Sequence, residues 1–124
     1  LVGAETAEYL ANKGHQVTIV EMMDKIAAGE STTVLPLMMK DFADHNVKQL
    51  VNTKVDHIEN NIVYTANDQI KADTIINALG SKKNIFDDSS ITIPHVCVGD
   101  CSGERTADIA SAIRTAYKAA NEIG

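Results

Sequence analysis

Residue types that mark several protein classes are scarce in this 124-residue sequence, which holds two cysteines, two prolines and no tryptophan. The two thiols, Cys97 and Cys101, are too few for an iron–sulfur cluster or a four-ligand zinc site. Their spacing is also not that of a CxxC redox pair. We therefore expect ordinary reduced thiols in a cytoplasmic protein.

The sequence also has little basic charge and no long apolar run. No stretch approaches the roughly 20 apolar residues of a membrane span, and no basic segment followed by an apolar one opens the sequence. The 11 basic and 17 acidic residues give a formal net charge of −6. Because phosphate contacts supply most of the affinity for nucleic acids, an acidic chain is a poor candidate for binding them. We expect a globular domain with neither nucleic acid nor a membrane as a partner.

The apolar pattern alternates between helical and strand periods, which is typical of an α/β domain. Residues at three- and four-residue spacing predict a first helix that ends at Gly14, a second over about 33–45 and a third over 105–123. β-branched and alternating runs predict strands over 15–21, 47–51, 53–58, 62–65, 72–79 and 91–100. Strands 53–58 and 62–65 flank Glu59-Asn60-Asn61, which predicts a hairpin and therefore a β meander after the second helix.

Each predicted helix carries apolar residues along one side, and such a face normally packs against the interior. The faces are Ala4, Ala7, Leu10 and Ala11 in the first helix, Leu35, Met38, Met39 and Phe42 in the second, and Ile109, Ile113, Tyr117, Ala120 and Ile123 in the third.

The start of the chain resembles half of a dinucleotide-binding turn. The full Gly-x-Gly-x-x-Gly turn uses its last glycine to pack the helix against a strand, and Gly3 suits that position. We expect the two earlier glycines and the first strand of a Rossmann-like domain to lie upstream of Leu1. Taken alone, Gly3 is equally compatible with an ordinary close-packing glycine.

A second element of the same motif is an acid at the end of the next strand. Glu21 lies 18 residues beyond Gly3, where a carboxylate accepts hydrogen bonds from the hydroxyls of the adenosine ribose. No arginine follows it closely to hold a 2′-phosphate, so the pattern favours NAD(H) over NADP(H). A solvated acid at a strand end is the alternative reading of Glu21 by itself.

Three motifs in order, LVGAETAEYLANKGHQVTIVE, ALGSKKN and VCVGDC, resemble the NADH:flavin oxidoreductase / 2,4-dienoyl-CoA reductase family. The resemblance is to the C-terminal FAD/NAD module of that family, within the pyridine-nucleotide-disulfide oxidoreductase class, and it spans essentially the whole chain. It implies an NAD(H)-binding domain over 1–87 and a C-terminal strand and helix of the FAD-binding domain over 88–124. The chain would then be a fragment of a longer polypeptide.

The resemblance assigns NAD positions to three places in the chain. It places the pyrophosphate at the start of the first helix and the adenosine ribose at the end of the next strand. At the Ala-x-Gly that ends the fifth predicted strand, the chain would pass alongside the dinucleotide. The matching residues are Gly3, Ala4, Glu5, Glu21, Ala78 and Gly80.

The resemblance also assigns four residues to FAD. Gly99 and Asp100 match a Gly-Asp pair whose carboxylate binds the ribityl chain. Thr106 and Ala107, at the start of the last helix, match a position near the pyrimidine edge of the flavin. In isolation, Gly99 and Asp100 would be read as an ordinary turn.

The implied function is an electron-input module that passes hydride from NADH to FAD, with FMN and a [4Fe–4S] cluster elsewhere in the intact enzyme and an activated alkene as the final acceptor. The alternatives are a simpler NADH oxidase or ferredoxin-reductase-like flavoprotein, a nucleotide-binding module without redox activity, and a fragment that binds nothing. We expect no catalytic residue and no metal site in this chain, because no side chains show the spacing of a nucleophile pair or a metal site.

The expected partners are the remaining parts of the same polypeptide. A central strand missing from a parallel sheet exposes the edges of its neighbours, and such edges recruit another chain. Self-association through that gap is therefore a further expectation.

Overall fold

A computed structural model describes residues 1–80, 82, 84, 87–102 and 109–123, and the chain forms two compact units, Leu1–Leu79 and Gly80–Gly124. The larger unit holds two helices, a parallel pair of strands and an antiparallel sheet. This mixed architecture confirms the predicted α/β class. The division between NAD and FAD domains at residue 87 stays a prediction.

The first four elements are α1 (Val2–Asn12), β1 (Thr18–Val20), α2 (Leu35–Asp44) and β2 (Lys48–Leu50). Strands β1 and β2 are parallel neighbours, with Ile19 opposite Gln49. The helix between them is the crossover that parallel pairing requires. Gly14 has a φ of 87° in the left-handed region, which confirms the predicted end of the first helix.

The core of this unit forms where the predicted faces of α1 and α2 meet. Ala4, Ala7 and Ala11 of α1 are buried with Met38 and Phe42 of α2. Because alanine side chains are small, the helices approach closely enough for Phe42 to lose all contact with solvent. Both predicted faces are confirmed at these residues, with Leu35 and Met39 packed against them, whereas Leu10 is only half-buried and lies outside the cluster.

The predicted hairpin is present as β3 (Val55–Glu59) and β4 (Ile62–Thr65), and β5 (Gln69–Lys71) extends it to an antiparallel three-stranded meander. Asn60 and Asn61, which connect β3 to β4, both have positive φ, as a two-residue hairpin turn requires. Strand β5 was not predicted, because three residues with one apolar side chain are too short for a periodic pattern.

The predictions of strands over 72–79 and 91–100 are wrong. Both segments lie outside any strand, and most of their apolar residues are exposed, with Leu79 at 88%, while Ala72 and Ile75 are half-buried. A strand exists only when a neighbour accepts and donates its backbone hydrogen bonds, and neither segment has such a neighbour in the described part of the chain. A run of apolar residues was therefore not sufficient to predict a strand. Association of another chain with the 72–79 segment stays a prediction.

The smaller unit contains a 3₁₀ turn (Gly99–Cys101) and α3 (Ile109–Glu122). The helix is confirmed where it is described, but the prediction that its apolar face packs in the interior is wrong. Ile109 is 81% exposed and Ile113 and Tyr117 are also exposed, whereas Ser111 and Thr115 on another face are buried. Small side chains allow α3 to approach the 3₁₀ turn, and that contact decides which face is buried. None of the helices in the described ranges is long and apolar enough to cross a membrane.

The substitution Phe42→Ala should lower the free energy of unfolding by about 3–5 kcal/mol, because it leaves a cavity between α1 and α2. Leu37→Ala lies on the same helix at an exposed position and should change it by no more than about 0.5 kcal/mol. Urea unfolding of both variants checks this. Equal effects would mean that the interface between the helices is not the core of this unit.

Candidate functional site

The predicted dinucleotide residues of the larger unit belong to the carboxyl edge of the parallel pair. Glu21 follows β1 directly, and Val51 follows β2. Helix α1 leads through a short connection into the start of β1, so its amino terminus lies toward this same edge. In open α/β sheets this edge is where ligands bind.

The start of α1 offers backbone donors. The carbonyl of Leu1 accepts the N–H groups of Ala4 at 2.8 Å and Glu5 at 3.1 Å. Since the helix begins at Val2, the N–H groups of Val2 and Gly3 have no acceptor within the helix, and the helix dipole favours an anion beside them. Any phosphate contact at this turn would therefore come from Val2 and Gly3. Sequence reasoning had assigned the turn to residues 3–5 and omitted Val2, whose signal is its place as the first helical residue.

Gly3 and Ala78 lie in direct contact although they are 75 residues apart in the chain. A Cβ atom built on Gly3 would stand 2.9 Å from the Cβ of Ala78, a distance that real Cβ atoms essentially never show. Only glycine fits at this position, which is the packing role predicted for the last glycine of the motif. The structure thus brings together two of the predicted NAD residues. Gly80 has a φ of 84°, so the chain turns at a second predicted position.

Backbone and side-chain hydrogen bonds together fix Glu21. Its N–H donates to the carbonyl of Leu50 at 2.8 Å, and its carbonyl accepts the N–H of Thr53 at 2.9 Å. Its Oε1 accepts the N–H of Met23 at 2.9 Å. The other carboxylate oxygen has no hydrogen bond within the described part of the chain and remains able to accept one from a ligand.

In the smaller unit, a buried hydroxyl holds the Gly-Asp turn against α3. The N–H of Gly99 donates to the Oγ1 of Thr115 at 2.8 Å, and that hydroxyl donates to the carbonyl of Ser111 at 2.9 Å. Gly99 has a φ of 65°, which favours glycine. Sequence reasoning missed Thr115, since a threonine in a helix carries no signal of a turn elsewhere in the chain. The predicted residues Thr106 and Ala107 lie outside the described residues.

Among the described groups whose pKa departs from its ordinary value are His95 and Glu8, neither of which is itself a predicted site residue. The carbonyl of Ile93 and the carboxylate of Asp88, 2.8 Å from the ring, raise the pKa of His95. Partial burial and the nearby carboxylate of Asp41 raise the pKa of Glu8. Neither group faces a nucleophile or a metal cluster among the residues that the structure describes.

A cavity of about 450 Å³ lies at the opposite edge of the parallel pair. It is lined by Thr18 and Lys48 at the amino ends of the two strands, and by Gly14, His15 and His45 at the ends of the two helices. None of the predicted dinucleotide residues lines it. The cavity and the predicted dinucleotide residues therefore lie at opposite edges of the parallel pair.

Comparison with known proteins gives a consistent set of similarities. Residues 1–96 match the family model described as pyridine nucleotide-disulphide oxidoreductase. A bilirubin reductase of Mediterraneibacter gnavus is 44% identical over 99% of this chain and 20% of its own length, and a cinnamate reductase of Clostridium sporogenes is 29% identical over the same shares. The solved structure of a 2-naphthoyl-CoA reductase with 2-naphthoyl-CoA superposes with a TM-score of 0.65 at 28% identity, covering 93% of this chain and 18% of that one. The chain thus spans about a fifth of these proteins.

Replacing Gly3 by alanine should destabilise the larger unit by about 1–3 kcal/mol, because the new methyl group overlaps that of Ala78. Combining it with Ala78→Gly removes the overlap and should recover most of the loss. A double-mutant cycle of unfolding free energies measures this coupling. Simple additivity of the two substitutions would contradict the close approach.

Thr115→Val keeps the shape of the side chain but leaves the N–H of Gly99 without its acceptor, which should cost about 1–3 kcal/mol. Thr115→Ser keeps the hydroxyl and serves as the control. Hydrogen exchange of the Gly99 amide should accelerate in the valine variant and not in the serine variant. Unchanged exchange in both would show that the hydroxyl does not hold the turn.

Proposed function

Because the chain belongs to the pyridine nucleotide-disulphide oxidoreductase family, we propose that it is the NADH-binding, electron-input part of a flavin-dependent oxidoreductase. The observation that carries this proposal is the contact of Gly3 with Ala78 at the start of an α-helix whose first two N–H groups have no acceptor within the helix. A side chain at Gly3 would collide with Ala78 and prevent the close packing that the last glycine of the dinucleotide motif allows. The residues present therefore fit a dinucleotide.

In this proposal the pyrophosphate lies at the amino terminus of α1. The N–H groups of Val2 and Gly3 donate to its oxygens, and the partial positive charge of the helix end stabilises the negative charge. Glu5 lies in the same first turn and is exposed. Its negative charge interacts favourably with the positive end of the helix dipole. Its carboxylate must point away from the phosphates, since like charges repel.

Glu21 selects the nucleotide. Its carboxylate accepts hydrogen bonds from the adenosine ribose hydroxyls of NADH and repels the 2′-phosphate of NADPH. The tie to the N–H of Met23 orients the carboxylate before the nucleotide arrives, so less conformational entropy is lost on binding.

The Gly99–Asp100 turn takes part in binding FAD. Asp100 contributes to holding the ribityl chain, and Thr115 fixes the turn through its hydrogen bond with the N–H of Gly99. Hydride transfer from the nicotinamide to the flavin is chemistry that the two cofactors supply when bound. The contribution of this chain is to hold and orient them. We assign no catalytic acid, base or nucleophile to its residues.

The relatives support a carbon–carbon double bond as the final acceptor. Bilirubin, cinnamate and 2-naphthoyl-CoA, for which they are named, all contain conjugated carbon–carbon double bonds. We propose that the intact enzyme reduces an activated alkene of the enoate or enoyl-CoA type. This is the reaction of the 2,4-dienoyl-CoA reductase type, with FMN and a [4Fe–4S] cluster in other parts of the same cytoplasmic polypeptide. Those parts, including the other half of the FAD-binding domain, are the proposed partners of this chain.

In a full-length protein that contains this chain, Glu21→Arg should weaken NADH binding by roughly 5- to 150-fold, as expected for the loss of hydrogen bonds that contribute about 1–3 kcal/mol. NADPH should bind more tightly, because arginine pairs with the 2′-phosphate. Calorimetric titration with both nucleotides measures the ratio of their dissociation constants. Glu59→Arg makes the same change of charge at the end of β3 and is the control. An unchanged ratio for Glu21→Arg, or an equal shift for Glu59→Arg, would mean that Glu21 is only a surface acid.

A further inference from the structure

We propose that Asn52 is a positioning residue for nucleotide choice, because its left-handed backbone holds the bend that fixes the Glu21 carboxylate. This inference rests on the proposed role of Glu21 as the acceptor of the adenosine ribose hydroxyls. Asn52 itself is exposed and lies in the turn after β2. It is assigned no contact with the nucleotide.

Two short segments meet at the carboxyl edge of the parallel pair: the bend 21–23 after β1 and the turn 51–53 after β2. The N–H of Asn52 donates to the carbonyl of Met23 at 2.8 Å, and the N–H of Thr53 donates to the carbonyl of Glu21 at 2.9 Å. The hydroxyl of Thr53 donates to the carbonyl of Val51 at 2.8 Å, which closes the turn. The turn 51–53 therefore holds both ends of the bend 21–23.

The same bend fixes the carboxylate. The N–H of Met23 donates to Oε1 of Glu21 at 2.9 Å, while the carbonyl of Met23 accepts from Asn52. A continuous path thus runs from the backbone of Asn52 through Met23 to the side chain of Glu21. If Asn52 changes conformation, Met23 loses its anchor and the carboxylate loses the donor that orients it.

The conformation of Asn52 is one that few residues adopt. Its φ is 50°, in the left-handed region, where asparagine and glycine are favoured. A β-branched side chain is strongly disfavoured there, so valine would drive the backbone toward the extended region and turn its N–H away from Met23. Glycine accepts the left-handed conformation without strain. Because Asn52 acts through its backbone conformation, substitution by valine and substitution by glycine should have opposite outcomes.

A conformational change at Asn52 should alter the choice between NADH and NADPH more than the affinity for both nucleotides. A carboxylate without its orienting donor accepts ribose hydroxyls less well and also swings away from a 2′-phosphate, so NADH loses affinity while NADPH gains. The pyrophosphate donors lie on α1, an element that this path does not include. Both nucleotides carry the same pyrophosphate and keep that contact.

The test is calorimetric titration of NADH and NADPH into the full-length protein with Asn52→Val, Asn52→Ala and Asn52→Gly. We expect valine to move the ratio of the two dissociation constants toward NADPH by about ten-fold, as a left-handed penalty of 1–2 kcal/mol implies. Alanine should move it in the same direction by a smaller factor, and it provides the result if the valine variant does not fold. Glycine should leave the ratio within about two-fold, since it carries no such penalty.

Asn46→Val is the matched control. Asn46 has a φ of 55° and precedes β2, so the same strain is introduced at the opposite edge of the parallel pair. It should lower the melting temperature as Asn52→Val does and leave the nucleotide ratio unchanged. An equal change of the ratio for Asn46→Val would overturn the inference, and so would a loss with glycine as large as that with valine.

The Glu21→Arg variant separates the two proposals. If Glu21→Arg changes the ratio and both Asn52→Val and Asn52→Ala leave it unchanged, the proposed function stands and the role of Asn52 is wrong. If Glu21→Arg leaves the ratio unchanged as well, the assignment of the ribose to Glu21 fails, and the inference fails with it.

Discussion

The close approach of Gly3 to Ala78 is the constraint on which the remaining arrangement of the candidate site depends. A Cβ atom at Gly3 would lie 2.9 Å from that of Ala78, so the residue at position 3, in the first turn of α1, must lack a side chain. This contact draws the amino terminus of the helix onto the 72–79 segment. The alanines along α1 act in the same way toward α2, where Phe42 fills the space that they leave. Small residues on α1 thus allow close packing on two sides of the helix, against Ala78 and against α2.

At the edge where β1 and β2 end, the proposed nucleotide specificity depends on hydrogen bonds between two turns. The carboxylate of Glu21 is oriented by Met23, and Met23 is held by Asn52. The helix end and these turns supply separate functions, since the first offers donors for an anion and the second an oriented acceptor. In the smaller unit, Thr115 holds the Gly99 turn in a comparable way, but through its side-chain hydroxyl, whereas Asn52 acts through its backbone N–H.

Local pattern was enough to predict the helices, the meander and the turn glycine at position 14, because these elements are decided by residues close in sequence. Position in the motif predicted Gly3 and Ala78 as site residues, and the structure brings the two into contact, while their role in binding stays a prediction. The 72–79 and 91–100 segments could not be predicted from their apolar residues, since a strand depends on a neighbour that lies elsewhere. The buried face of α3 escaped prediction for a similar reason: contact with the 3₁₀ turn selected small side chains over the isoleucines.

The crystal structure of the full-length protein with NADH bound tests the central claim most directly. Our account predicts that the pyrophosphate oxygens accept hydrogen bonds from the N–H groups of Val2 and Gly3. It also predicts that the adenosine ribose hydroxyls lie within hydrogen-bond distance of the Glu21 carboxylate. A dinucleotide bound at the opposite edge, between His15 and His45, or one whose ribose makes no contact with Glu21, would contradict it.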